Sequence, residues 1–220
     1  MKAPHSFTLF GQQLWLTPLK AIYWEDQSAL ILSDLHFGKT GHFRKSGIGV
    51  PQEVFKQDLQ RLFHLVQYYK PKELIIVGDF FHSSYNLESD WFARWRKDHA
   101  DLAITLVRGN HDILQPAWYE EHAIQVQLGI YTRGPFSFIH DPDELPEEQD
   151  NDTYIFSGHL HPGVLLSGSG KQSLRLPCFY FGKAKAILPA FSGFSGLALV
   201  SPEAGAAVFA IAGQEIISIQ

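Results

Sequence analysis

One cysteine in 220 residues removes several kinds of protein at once. Cys178 has no partner within the chain, so no intramolecular disulfide can brace the fold and nothing points to an oxidising compartment. Long apolar runs are missing too. Nothing approaches the roughly 20 consecutive apolar residues that span a bilayer, and Pro4, His5, Gln12 and Gln13 interrupt any signal-like run after Lys2. The expectation is a soluble cytoplasmic chain with no membrane partner. A surplus of positive charge is also absent. The formal net charge of −5 and a pI near 6.1 exclude a broadly basic surface and leave room only for a local basic patch. No internal repeat or low-complexity tract stands out.

What is present suits a packed core. Hydrophobic residues make up 45% and aromatics 14%, and the length predicts one domain over residues 1–220. The chain is organised around Leu74-Ile75-Ile76-Val77, four aliphatics in a row that read as a strand buried on both faces. Gly78-Asp79 follows, which puts a carboxylate at the carboxyl end of a core strand, where open α/β sheets bind ligands. No lysine or arginine adjoins it, so a metal ion is the obvious counter-charge.

Four more runs end in the same way. Ala29 to Ser33 leads into Asp34-Leu35-His36, Leu102 to Val107 into Arg108-Gly109-Asn110-His111-Asp112, Phe136 to Ile139 into His140, and Tyr154 to Ser157 into Gly158-His159-Leu160-His161. Alternation in an extended segment is expected to put Asp34 and His36 on one side.

Between these runs the pattern predicts a hairpin over Phe7 to Leu16 and a strand over Ala21 to Trp24. A glycine-rich loop from Gly38 to Gly49 carries Lys39, His42, Arg44 and Lys45. A helix begins at Pro51, with Phe55, Leu59, Leu62, Phe63 and Val66 on one face, and closes before Pro71. A second helix covers Leu87 to His99, a short one lies near Trp118, and a hairpin spans Ile124 to His140. Asp141 to Asp152, with seven carboxylates and no basic residue, reads as an exposed loop. From Val164 onward the chain reads as mostly β.

Asp34, His36, Asp79, Asn110, His140, His159 and His161 are too many oxygen and nitrogen donors for one ion, and they fit two if a carboxylate bridges. A set without thiolate suits manganese, iron or zinc in a reactive site better than a structural zinc site. Two such ions roughly 3.5–4 Å apart form the clamp used for displacement at phosphorus, which favours phosphoester hydrolysis.

Asp34-x-His36, Gly78-Asp79, Gly109-Asn110-His111-Asp112, His140 and Gly158-His159-x-His161 together resemble the calcineurin-like metallophosphoesterases. Asp34-Leu35-His36-Phe37-Gly38-Lys39, Gly78 to Ser83, Leu176 to Phe179 and Leu188 to Phe191 further resemble the bacterial DNA-ligase-associated branch. The resemblance implies an α/β, four-layer metallophosphoesterase sandwich, two mixed β-sheets packed face to face with flanking helices. It implies two divalent ions, manganese first, with iron or zinc as alternatives. One would lie on Asp34, His36, Asp79 and His161, the other on Asp79, Asn110, His140 and His159. A bridging hydroxide would be the nucleophile, His111 the general acid and Asp112 its orienting partner. It further implies a phosphodiester substrate such as single-stranded DNA, a role in DNA repair as endonuclease or phosphodiesterase, and ligase or helicase repair proteins as partners.

Two other readings stand beside this one: a phosphatase or pyrophosphatase on a small phosphate ester, and a non-catalytic scaffold that kept the fold. Arg44, Lys39, Arg108 and His82 are candidates for binding substrate, set against a solvated face for the cations. Trp91, Phe92 and Trp95 read as core rather than as a platform for stacked bases, and Cys178 as a small buried hydrophobe.

Overall fold

The structure, a computed structural model, describes residues 3–39, 53–82, 87–145, 153–168 and 172–219. Its first sheet holds, in spatial order, β1 (His5–Leu9), β2 (Gln12–Thr17), β3 (Ala21–Trp24), β4 (Ala29–Leu32), β5 (Glu73–Val77), β6 (Ala103–Val107) and β7 (Ile124–Gln127). β1 to β4 run antiparallel as a meander, and β4 to β7 are parallel. Parallel neighbours need crossovers. Helices α1 (Glu53–Tyr69), α2 (Leu87–Asp98) and α3 (Pro116–Glu121) lie in the three crossovers.

The second sheet contains β8 (Tyr131–Arg133), β9 (Phe136–Ile139), β10 (Tyr154–Ser157), β11 (Pro162–Ser167), β12 (Ser173–Phe181), β13 (Lys185–Ile187), β14 (Ala198–Leu199), β15 (Ala207–Ala212) and β16 (Glu215–Ser218). Its order is β14-β11-β12-β13-β10-β9-β8, with β15 pairing β12 and β16 pairing β15. The expected sandwich of two mixed sheets is therefore found.

The four-aliphatic runs are explained by what lies on each face. Odd positions Ile31, Ile75, Val77 and Val107 meet Phe136, Phe138, Phe156, Phe179 and Phe181 of the second sheet. Rings of this size fill the roughly 10 Å between packed sheets. Even positions Leu30, Leu32, Leu74, Ile76, Ile104 and Leu106 meet Phe55, Leu62 and Leu65 of α1 and Phe92 and Trp95 of α2. The aromatics of α2 are thus core, as expected. On the outer face of the second sheet a smaller cluster of Val164, Leu176, Cys178, Val208 and Ala210 forms. Burial pushes the Cys178 thiol up to about 12, so it stays unreactive.

Two sequence expectations need correction. The hairpin over Ile124 to His140 is divided between the sheets: β7 lies parallel to β6, whereas the hairpin is β8 with β9 in the other sheet. A six-residue helix suffices as the crossover from β6, so an apolar run after Trp118 returns to the first sheet. Phe63 is exposed, and Leu65 takes its place against the sheet.

Register sets the site. Leu32 pairs with Ile76 and Ile76 with Leu106, so β4, β5 and β6 end together. Ser157 pairs with Ile139, so β9 and β10 do the same. The two rims are joined where Ser33 pairs with Ala190, just beyond β13.

Candidate metal centre

Five of the seven predicted donors leave their strands through a sharp backbone turn. Asp34, His36, Asp79, His159 and His161 have φ of 54°, 51°, 50°, 65° and 49°, all left-handed. Asp34 and His36 therefore converge through two left-handed kinks rather than through extended alternation. Such residues cost on the order of 1 kcal/mol each and persist only where surroundings hold them. Here the main chain does: Asp34 N donates to Gly78 O (3.1 Å), His36 N to Asp79 O (2.9 Å) and Gly158 N to His140 O (3.0 Å). Two glycines make the crowding feasible. A Cβ on Gly78, itself at φ 76°, would sit 2.0 Å from His140 Nδ1, and one on Gly158 would sit 1.9 Å from Ser33 Oγ.

All seven donors meet, in two clusters. In the first, His161 Nε2 lies 3.3 Å from Asp34 Oδ1 and 3.3 Å from His36 Nε2. In the second, His140 Nε2 lies 3.4 Å from Asp79 Oδ1, 3.2 Å from Asn110 Oδ1 and 3.3 Å from His159 Nδ1. Asp79 joins them, its Oδ2 being 3.9 Å from His36 Nδ1. Two triads have one donor atom each within 4.8 Å of the others: Asp34, His36 and His161, and Asp34, Asp79 and His140. Asp34 thus contributes to both triads.

The donors fit divalent ions on two observations. Asp34 Oδ1 and His36 Nδ1 are buried with no hydrogen-bond partner among the described residues, although such groups are costly to bury unpaired. Burial also drives His36 down to about 3, which keeps its imidazole in the neutral form a ligand requires. Burial opposes charge on His140, but its hydrogen bond to Asp79 and the nearby Asp34 outweigh burial and raise it to about 9. Asp79 is lowered despite burial by the same partner.

The other candidates surround this centre. His111 projects over it with its side chain 42% exposed, Nε2 4.0 Å from Asp79 Oδ2, and its backbone N–H donates to Asp79 Oδ1 (2.9 Å). Asp112 turns both carboxylate oxygens to main-chain amides, Phe81 N (3.0 Å) and Gly109 N (2.8 Å), rather than to the His111 imidazole. Burial pushes Asp112 up to about 7 against those two bonds. The His82 ring lies 4.1 Å from that of His111. Lys39 is half-buried and close enough to Asp34 and Asp79 for their charges to act on it, though burial still lowers its pKa. Arg108 donates to Asp112 O (3.2 Å) and lines a cavity of about 170 Å³ with Asn110, His140, Asp141 and Glu144. Arg44, like His42 and Lys45, lies outside the described residues.

Two residues that the sequence reading passed over support the donors. Ser33 Oγ sits 2.5 Å from Asp34 Oδ2 and 2.7 Å from Val77 O, bracing the carboxylate from behind. Asp141 Oδ2 lies 3.6 Å from His159 Nε2, on the side of the ring away from His140. The available signal was position: Ser33 is the polar end of an aliphatic run, and Asp141 adjoins a donor.

With this geometry in place, similarity to known proteins can be weighed. A family model described as calcineurin-like phosphoesterase matches residues 28–139, just over half the chain. The chain belongs to the calcineurin-like phosphoesterase family. It is accordingly a metal-dependent phosphoesterase, from a family whose members bind two divalent ions. The crystal structure of Pseudomonas putida nuclease MPE is similar over 98% of this chain and 100% of that one, at 29% identity and a TM-score of 0.82. That agrees with the ligase-associated branch resembled by the sequence. Yfce, a phosphoesterase from E. coli, is similar over 86% of this chain and 96% of that one, at 16% identity and a TM-score of 0.45. No curated protein sequence matches. No helix among the described residues is long and apolar enough to cross a membrane.

Proposed function

We propose that this phosphoesterase hydrolyses phosphodiester bonds in DNA, as a manganese-dependent nuclease acting in repair. The observation that carries this reading is the pair of donor clusters joined at Asp79, with an exposed imidazole directly above them. Two divalent ions, when bound there, supply a nucleophile from water near neutral pH and neutralise charge at phosphorus. Asp34, His36, Asp79 and His161 would hold one, and Asp79, Asn110, His140 and His159 the other.

The protein's own groups do the rest. His111 would protonate the leaving oxygen, which as an alkoxide departs slowly until protonated. Its main-chain bond to Asp79 fixes it relative to the metal centre. Asp112 keeps that loop in register by tying Gly109 to Phe81. Arg108 and Lys39 flank the centre as cations for phosphate oxygens. Arg44 belongs to the same proposal, as does His82 as a substrate contact.

A strand as substrate is favoured by the size of the cavity beside His140. At about 170 Å³ it is smaller than the roughly 300 Å³ at which pockets begin to enclose small ligands. It can seat a phosphate, and a nucleotide would have to lie across the rim. The nuclease described for the similar Pseudomonas putida structure supports the same choice. Ligase and helicase repair proteins are the partners this reading implies, in the cytoplasm, where a lone buried Cys178 suits a reducing medium.

One observation favours a small phosphate ester instead. Asp141 and Glu144 line that cavity opposite Arg108 and would repel neighbouring phosphates of a strand. Stripping the metals, restoring manganese, and assaying circular single-stranded DNA, a small phosphodiester and a phosphomonoester side by side decides between them. Cleavage of the circle supports an endonuclease. Turnover of the monoester alone would overturn it.

A further inference from the structure

The Phe191–Gly193 segment supplies no donor to the metal centre, yet it carries the backbone from which the first donor hangs. Phe191 N donates to Ser33 O (2.8 Å) and Ser192 N to Asp34 O (3.0 Å). The segment thus extends the first sheet past the end of β4 on the side of Asp34. Its opposite edge is held by charge. Both oxygens of Asp58 accept from Gly193 N (3.2 and 3.0 Å). Arg61 donates to Phe191 O, lies 2.9 Å from Asp58 Oδ1, and sets its guanidinium 4.4 Å over the Phe191 ring. Lys20 Nζ, from the turn between β2 and β3, donates to Ser192 O (3.0 Å). Two N–H groups of the segment therefore face the Ser33 and Asp34 carbonyls, while two carbonyls and one N–H face three charged side chains.

That arrangement is expensive. Asp58 is buried and the two cations largely so, and burial together with Arg61 brings Lys20 down to about 8. Apolar side chains of similar volume would stabilise such a place as well or better, so a buried ionic network argues for one specified conformation more than for stability. The conformation in question is adjacent: Asp34 at φ 54°, strained, with Oδ1 accepting no hydrogen bond among the described residues.

We propose that Lys20, Asp58 and Arg61 form a positioning clamp which, through the Phe191–Gly193 backbone, holds Asp34 in the left-handed conformation that lets its carboxylate share an ion with His36 and His161. The inference rests on the two-ion reading above. None of the three clamp residues touches a donor side chain, so their effect is on ion affinity and geometry rather than on proton transfer.

Titration of the metal-stripped full chain with manganese alone, followed by electron paramagnetic resonance, tests it. Wild type binds two equivalents. Asp58→Asn and the milder Lys20→Met should weaken one of the two by roughly 10- to 100-fold, the range typical when support behind a ligand is lost, and change the spectrum of that ion. Glu73→Gln is the control. It removes the charge that pairs with Arg133 at the far end of the same sheet, where Glu73 also accepts from Thr105, and should lower the melting temperature while leaving both affinities in place. Unchanged affinities in both clamp variants would overturn the clamp alone, as would an equal affinity loss in Glu73→Gln. A wild-type chain that binds no manganese would overturn the two-ion reading and the clamp with it.

Discussion

Asp79 is the side chain that reaches from one donor cluster to the other. One oxygen faces His140 and accepts the amide of His111, while the other faces His36 and His111. Asp79→Asn should therefore abolish metal-dependent turnover even at saturating manganese; full activity would remove the bridging role. His111→Ala removes a ring that comes no nearer to Asp79 than 4.0 Å and keeps the closer main-chain bond to Asp79 Oδ1. Both ions should remain, with rates falling mainly on diesters whose leaving groups need a proton; equal losses on nitrophenyl and alkyl esters would count against an acid role. The proton on His140 gives a third expectation. Its folded pKa, about 9, lies above the ordinary imidazole value of 6.5, so its stabilising effect on the metal-free chain is complete below about 6.5 and is lost as pH rises through 9. Bound metal must displace that proton, so manganese affinity should climb with pH and level off near 9. An affinity flat between pH 6 and 9 would show that His140 stays neutral in the metal-free chain.

At the scale of elements, the strands bring the donors together before any side chain chooses a direction. Three runs of the first sheet end level and bring Asp34, Asp79 and Asn110 to one rim, and two of the second bring His140 and His159 to the other; this much was legible in the sequence because each run stops at a polar residue. The kinks were not. Left-handed backbone at Asp34 and His36 is imposed by main-chain bonds to Gly78 and Asp79, residues more than forty positions away, and main-chain bonds carry no side-chain signature. The same holds for the clamp, where Arg61 meets Phe191 across 130 positions. Helix α1 shows a smaller limit. Phe63 and Leu65 both suit an apolar face by spacing, and only the angle at which the helix lies on β4 and β5 decides between them. Leu62→Ala should cost about 2–5 kcal/mol in urea unfolding, whereas Phe63→Ser should stay within about 0.5 kcal/mol. Equal losses would mean that Phe63 is buried after all.

For the molecule as a whole, the proposed DNA substrate is a polyanion that a chain with a net charge of −5 meets against its own field. Long-range attraction cannot bring DNA to this rim, so capture depends on local cations: Lys39 and Arg108 beside the metal centre, and Arg44 and Lys45 in the segment that follows Lys39. Each phosphate neutralised by such a group releases a counterion, and the slope of log affinity against log salt approaches the number of contacts, about 0.7 each on a single strand. A small diester has one charge and little atmosphere to release. Cleavage of circular single-stranded DNA should therefore weaken steeply between 50 and 200 mM salt at fixed manganese, while turnover of the small diester changes little. Replacing Lys39 and Arg108 together by glutamine should reduce the DNA slope by about 1.4 in log units per log unit of salt, about 0.7 for each cation lost. Parallel slopes for the two substrates would mean that the basic groups do not contact the strand, and that the small-ester reading, which the acidic lining at Asp141 and Glu144 already favours, describes this protein better.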